Sequence, residues 1–277
     1  MNEDRSAHLP AEHRAAPDHR VIFVGGLHRS GTSLLAAALA AHPGVSGFHG
    51  TGAAEDEGQH LQRVYPPVRA HGGPGRFANR AEAHLTETSP LVTPASAAAL
   101  MEAWGRHWDL TKPVLVEKSP PNLIQARFLQ ALFAHPSFVM IVRHPLVVAL
   151  ATQRRARRAR LGALLDHWFC AHRILQEDAP AIERLLVVHY EDLVAHPEAC
   201  LARIAAFAGL ASPLPPLAPD LRVSQRYGEL WSQRRRSPAG RVQAGLLARR
   251  YEGQANRYGY TLADLERWAP GELASSP

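Results

Sequence analysis

The 277-residue chain contains only two cysteines, Cys170 and Cys200. Two thiols cannot form a disulfide framework, which excludes the small stapled folds of secreted domains. Long apolar runs are also missing. Residues 34–41 are among the longest, and they fall far short of the ~20 residues a bilayer-spanning helix needs. The first twenty positions mix Glu3, Asp4, Arg5, Glu12, Arg14 and Asp18 and hold no apolar stretch of the secretory kind. These absences give the expectation of a protein of the reducing cytoplasm with no membrane segment. Residues 1–19 are expected to form a disordered lead-in and 20–277 a single domain with a helical, Arg-rich C-terminal part. Metal-ligand spacing is absent too. The sixteen histidines are scattered, and His167 and His172 stand five apart, not the four that would stack two imidazoles on one helical face. No metal is therefore expected.

Lysine is the scarcest charge. Of 31 basic residues only Lys112 and Lys118 are lysines, a bias that reads as coding preference and makes Lys118 stand out against it. The formal charge of +6 suits an anionic ligand without choosing among a nucleotide, a glycan and a nucleic acid. Arg154, Arg155, Arg157, Arg158 and Arg160 form a dense run, echoed by Arg234 to Arg236. A solvated basic face is the default reading of such runs. No aromatic interrupts Gln153 to Arg160, and single-stranded nucleic-acid binders pair basic grooves with stacking rings. No nucleic-acid partner is expected.

What the chain does have is strands alternating with helices. Short β-branched or aromatic runs at 21–24, 114–116, 138–142 and 185–188 read as buried strands. Helices are expected at 33–41, 94–108 and 123–133, after Arg143-His144-Pro145, and at 161–177, 197–208 and 242–257. Residues 45–75 read as a long loop and 212–219 as a proline-rich connector. The order predicts an α/β protein, a P-loop-like three-layer fold with a mostly parallel central sheet.

Between the first strand and helix lies Gly26-Leu27-His28-Arg29-Ser30-Gly31-Thr32-Ser33. The spacing is that of G-x-x-x-x-G-K-[ST], with Thr32 where the lysine belongs. Glycines in such a turn let backbone N–H groups cradle an anion at a helix N-terminus, where the dipole is favourable. A kinase needs the lysine to reach the outer phosphates; here the loop's one cation is Arg29. The loop suits an anion but not an ordinary triphosphate.

This stretch resembles the 5′-phosphosulfate loop of sulfotransferases that use 3′-phosphoadenosine 5′-phosphosulfate (PAPS), in the arginine form of the bacterial and tyrosylprotein branches. Three further segments agree in order. Ile141-Val142-Arg143-His144-Pro145 resembles the family's 3′-phosphate strand-turn-helix. Lys118-Ser119-Pro120 is similar to its K-[ST]-P segment. Val187 to Leu193, with Tyr190-Glu191-Asp192-Leu193, resembles its late strand, whose Tyr commonly lies near the adenine. The resemblance covers roughly residues 21–210. It implies PAPS as donor and its desulfated product PAP, with Gly26, His28, Arg29, Ser30, Gly31, Thr32, Ser33, Arg143, Thr152 and Tyr190 around the nucleotide. Some of the arginine runs would then flank the 3′-phosphate or attract an anionic acceptor. The pattern is broken twice. The serine usual eight residues after the 3′-phosphate arginine is Ala151, with Thr152 beside it. The carboxylate that the tyrosylprotein branch carries after its loop helix meets His49-Gly50.

The implied reaction is in-line sulfuryl transfer to a hydroxyl of a small molecule or glycan, with Arg29 at the bridging oxygen and Lys118 near the sulfonate. The base is taken from Glu55, Asp56 and Glu57, with His49 and His28 behind them and Glu55 the first choice. A kinase-like phosphotransferase and a non-catalytic nucleotide- or anion-binding protein are the rivals.

Overall fold

The computed structural model describes residues 9–217 and 222–269. Five parallel strands form its centre: β1 (Arg20–Gly25), β2 (Val45–Gly47), β3 (Val114–Lys118), β4 (Pro136–Val142) and β5 (Leu185–His189), in the order β2-β3-β1-β4-β5. Parallel strands are buried on both faces, so their sequences need no polar alternation. Successive residues of β1 point to opposite sides. Val21 and Phe23 join one apolar layer, and Ile22 and Val24 the other.

On the Ile22 side lie α1 (Thr32–Ala40) and, later in the chain, α6 (Tyr190–Ala195) and α7 (Pro197–Ala208). The opposite layer holds α2 (Pro94–Gly105), α3 (Ala126–Leu132), α4 (Pro145–Arg155) and α5 (Leu161–Asp178). Its centre is aromatic: Phe23 packs on Phe133 at 5.0 Å and Phe138 at 5.4 Å, and Phe133 stacks on Trp104 at 5.7 Å. Each of these rings, being fully buried, contributes on the order of 2–3 kcal/mol. The three-layer α/β arrangement agrees with the sequence expectation.

Three parts differ from it. Residues 45–47, expected to open a long loop, form the edge strand β2; beyond it the chain runs to Thr93 through short 3₁₀ turns. Leu9 to Ala16, assigned to the lead-in, pack on the core: Leu9, Ala15 and Ala16 are buried, and the Ala15 amide donates to the Leu132 carbonyl at 2.8 Å. Residues 1–8 of that expected lead-in lie outside the described residues, as do 218 and 219 of the proline-rich connector. The C-terminal part holds α8 (Arg222–Arg236), which was not expected, before α9 (Pro238–Arg257), and then a hairpin of β6 (Tyr260–Thr261) and β7 (Asp264–Trp268).

That hairpin is tied to the sheet through buried polar groups. The Tyr260 hydroxyl donates to Glu191 at 3.0 Å and lies 2.9 Å from His189 Nδ1, while Trp268 stacks on the His189 ring at 4.9 Å. His144 Nδ1 caps α4 by accepting from the Leu146 amide. Burial lowers the pKa of five histidines: His144 and His189 to about 4, and His28, His167 and His172 to about 3. A depressed imidazole pKa means that below the ordinary value of 6.5 the unfolded chain takes up protons the folded chain refuses. Stability present above pH 6.5 is therefore lost as the pH falls toward 4. Each such histidine contributes about 1.4 kcal/mol per pH unit in that window. The expected outcome is a melting temperature that drops between pH 7.5 and pH 5.5. His172, fully buried and stacked on Trp168 at 3.8 Å, is the cleanest test. His172→Gln should lessen the drop by about 1 kcal/mol, as read by thermal unfolding at the two pH values.

Candidate active site at the carboxyl ends of the strands

The chain leaves β1 for the far edge at β2, returns to β3 beside β1, then crosses to β4 and β5 on the other side. Connections thus diverge from the carboxyl end of β1, the position where open α/β sheets bind ligands. Every residue expected at the nucleotide or the reacting centre lies at or just beyond these strand ends, except Thr152 farther along α4 and Glu55 in the loop after β2.

Backbone crowding shapes the loop after β1. A Cβ at Gly26 would overlap the Ile141 carbonyl, and one at Gly31 would stand 2.7 Å from the Tyr190 ring. Gly31 caps α1 with φ 104° and Arg29 has φ 75°, both in the left-handed region. The Ser30 amide and hydroxyl both donate to the Leu27 carbonyl, at 3.0 and 2.7 Å. The Ser30 hydroxyl thus holds the turn shut. The first amides of α1, at Thr32, Ser33 and Leu34, have no intrahelical partner, the kind of helix end that suits an anion. Thr32 is buried and Ser33 exposed.

The Arg29 side chain is exposed, and among the described residues no carboxylate pairs with it. Arg143 is buried, lies 3.9 Å over the Tyr190 ring and donates to the Arg29 carbonyl at 3.0 Å. Burial works against its charged form, and the neighbouring Tyr190 and Glu191 counter that effect. The Trp168 indole N–H fixes the other end of the residue, donating to the Arg143 carbonyl at 3.0 Å. Gly31, Arg29, Arg143 and Tyr190 are thus one contiguous unit. Thr152 is buried in α4. Its methyl faces Gly75, where a Cβ would lie 3.2 Å from it.

On the β3 side the picture changes. Lys118 is buried; its ammonium donates to the Glu55 carbonyl at 2.6 Å and to Glu57 Oε1 at 3.4 Å. Glu55 therefore meets Lys118 through its backbone, and its side chain is exposed. Asp56 accepts from the Thr51 hydroxyl and amide and the Gly50 amide, which lowers its pKa and closes the 50–56 turn. The carboxylate brought to Lys118 is that of Glu57. It is buried, accepts from Gln59 Nε2 at 2.5 Å and lies 3.7 Å from His60. A run of three acids does not show which one turns inward; the positive φ values of Glu55 (55°) and Asp56 (49°) decide it.

His28 sits edge-on to Phe77 at 6.0 Å, and its buried Nδ1 has no partner among the described residues. With burial as the main cause and the charges of Arg29, Lys118 and His60 adding to it, its pKa falls to about 3. An imidazole so reluctant to take a proton is a poor general base. A groove of about 510 Å³ opens beside Lys118 between α1 and β2, bordered by Ser33, Ala37, Ala40, Phe48 and His49. The second arginine run reaches the end of α4, where Arg234 donates to Gln153 Oε1 at 2.9 Å.

A model of the sulfotransferase family matches residues 21–213. Among curated proteins the chain is similar to protein-tyrosine sulfotransferase 2 of Gallus gallus, 29% identical over 208 residues covering 72% of this chain and 54% of the relative. It is also similar to protein-tyrosine sulfotransferase 1 of Danio rerio, 28% identical and covering 70% and 54%. The chain spans about half the length of these curated relatives. Among solved structures it resembles the sulfotransferase domain of the Synechococcus PCC 7002 olefin synthase, with TM-score 0.44, 23% identity and coverage of 76% and 83%.

Two glycines separate backbone strain from crowding in this region. Gly31→Ala meets both a positive φ and the Tyr190 ring, whereas Gly52→Ala meets a positive φ of 79° with nothing within 4 Å of its Cβ. Strain alone should cost about 1 kcal/mol at Gly52, and Gly31→Ala should exceed that by roughly 1–2 kcal/mol in denaturant unfolding.

Proposed function

The chain belongs to the sulfotransferase family, and we propose that it transfers a sulfuryl group from PAPS to an acceptor hydroxyl, releasing PAP. The observation that carries this reading is the hydrogen bond from Arg143 to the Arg29 carbonyl. It joins the arginine suited to a 3′-phosphate to the loop suited to a 5′-phosphosulfate, so that one nucleotide would engage both. The α1 amides, the Arg29 guanidinium and the Arg143–Tyr190 stack match a ligand with phosphate at two separate positions. Thr152 is the hydroxyl we assign near the 3′-phosphate in place of the family's serine.

In the reaction the acceptor oxygen bonds to sulfur as the bond between sulfur and the 5′-phosphate oxygen breaks. The electron pair stays on PAP, and the hydroxyl proton passes to a base. Charge builds on the departing phosphate oxygen, and stabilising it is the main work of the site. Arg29, exposed and without a carboxylate partner among the described residues, is the cation for that oxygen. Lys118 serves the sulfonate and the approach of the acceptor. We assign the base to Glu57, the acidic side chain at Lys118, in place of Glu55.

The groove beside Lys118 is the proposed route for the acceptor. A small-molecule or glycan hydroxyl suits its size. The tyrosine in the names of the curated relatives is the rival, and assays with a tyrosyl peptide, a simple phenol and a sugar decide between them.

PAP should raise the melting temperature of the purified protein, and ADP should do so far less, because ADP lacks the 3′-phosphate. Equal protection by both would count against the nucleotide assignment. In turnover assays Arg29→Ala and Lys118→Ala should each lower kcat by about 10²–10³-fold. Glu57→Gln should lower it about 10²-fold or more, while Glu55→Gln stays within roughly threefold of the parent. The reverse ranking of the two glutamates would return the base to Glu55.

A further inference from the structure

Glu117 is fully buried one residue before Lys118, and the site described above does not use it. Its carboxyl is a junction. Oε1 accepts from the Ser119 hydroxyl at 2.6 Å, and Oε2 accepts from Asn122 Nδ2 at 2.5 Å. Ser119 Oγ accepts in turn from the Gln59 amide at 2.9 Å, so one arm reaches the segment that carries Glu57. Asn122 Nδ2 also donates to the Val24 carbonyl at 3.1 Å, so the other arm reaches the end of β1, two residues before Gly26. Gly58 lies directly against the carboxylate, where any side chain would overlap it. The Trp104 indole N–H holds that glycine in place, donating to its carbonyl at 3.0 Å.

We propose that Glu117 is a positioning residue whose ionised carboxylate fastens the Glu57 segment and the entrance to the anion loop to one point, and whose protonation at Oε2 releases the second of them. The proposal rests on the sulfuryl-transfer reading and adds a proton-dependent control to it.

The chemistry of the donors supports the switch. An ionised carboxylate only accepts, and both side chains that touch Glu117 offer it a donor. A proton on Oε2 would face the Asn122 NH₂ group. The amide must then turn over and present Oδ1, an atom that is buried without a partner among the described residues. Turning it removes the Nδ2 donor from Val24, whose carbonyl retains only the Ser119 amide at 3.2 Å. A proton on Oε1 would instead make the Ser119 hydroxyl redirect its own hydrogen while its oxygen still accepts from Gln59. Only the proton on Oε2 breaks an arm of the junction, the one that reaches Val24.

The charged and titratable groups facing Glu117 are Lys118, which favours ionisation, Glu57, which opposes it, and the buried Tyr65 phenol. Burial dominates and pushes the carboxyl up to about 7, against the opposing hydrogen bonds from Ser119 and Asn122. The switch therefore operates at neutral pH.

The test is kcat and KM for PAPS from pH 5.5 to 8.5 in the parent 277-residue protein and in Glu117→Gln and Ser119→Ala. The parent should lose kcat below a midpoint near pH 7. Glu117→Gln should lower kcat at pH 8 by about 10–100-fold, as expected of misplaced catalytic groups, leave KM for PAPS within about twofold, and abolish that acid limb. Ser119→Ala should move the limb to higher pH, because the ionised form loses a donor. A second readout needs no activity. A carboxyl that titrates near 7 folded and near 4.5 unfolded holds a proton only in the folded chain between those values. Its contribution to stability therefore falls as pH rises through that window. The stability of the parent relative to Glu117→Gln should decline from pH 5 to pH 7.5. Turnover of PAPS with the same acid limb in Glu117→Gln, or a pH-independent stability difference, overturns the proposal alone. A parent protein that turns over no PAPS overturns the reading beneath it.

Discussion

At the exit of β1 there is no room for a side chain, and the rest of the site depends on that constraint. Gly25 is closed in by Met140 on one side and the backbone of Asn122 and Leu123 on the other, and Gly26 by the Ile141 carbonyl. A Cβ on either glycine would stand within 3.0 Å of these atoms, so the passage from β1 to α1 is open only to glycine at both positions. Glycine is used because the backbones must approach, and the approach leaves the first amides of α1 at the turn without intrahelical partners.

The cations around this turn are held in three different ways. Arg143 is immobilised by a ring beneath it, by its own carbonyl bonded to Trp168 and by the Arg29 carbonyl ahead of it. It is suited to fixing a ligand, since little side-chain freedom remains to be lost. Arg29 is exposed on a strained backbone and suits a charge that appears only during reaction. Lys118 is buried with Glu57, an arrangement that is costly unless the pair is well bonded. The Glu55 carbonyl and Gln59 supply those additional bonds.

The sequence made the loop after β1 legible and the course of the groove side much less so. Strands such as 138–142 are visible because burial on both faces selects β-branched and aromatic residues. The loop after β1 is visible because its glycines answer a steric demand that recurs wherever backbone meets anion. β2 was missed: three residues ending in glycine carry no periodicity. α8 was missed because it is dominated by arginine and glutamine, and polarity of that kind reads as surface. Leu9 to Ala16 gave no signal, since pairing by backbone with residues 131–134 leaves no pattern in side chains. The inward turn of Glu57 instead of Glu55 rests on two residues of positive φ, which acidic side chains do not announce.

The division has a physical origin. Contacts expected to hold a nucleotide come from strand ends and helix amides, which the packing of the sheet fixes whatever the acceptor is. Contacts on the groove side come from the 48–60 segment, whose course is set by side-chain hydrogen bonds at Thr51, Asp56, Gln59 and Ser119. Changes there would alter the groove without disturbing the sheet. The two halves meet at one buried point, Glu117, which is bonded indirectly to Val24 on one side and Gln59 on the other. A carboxylate there is costlier than an apolar residue of the same size. That cost is offset by its bonds from Ser119 and Asn122, through which one group with several acceptor sites joins the two surfaces from within the core.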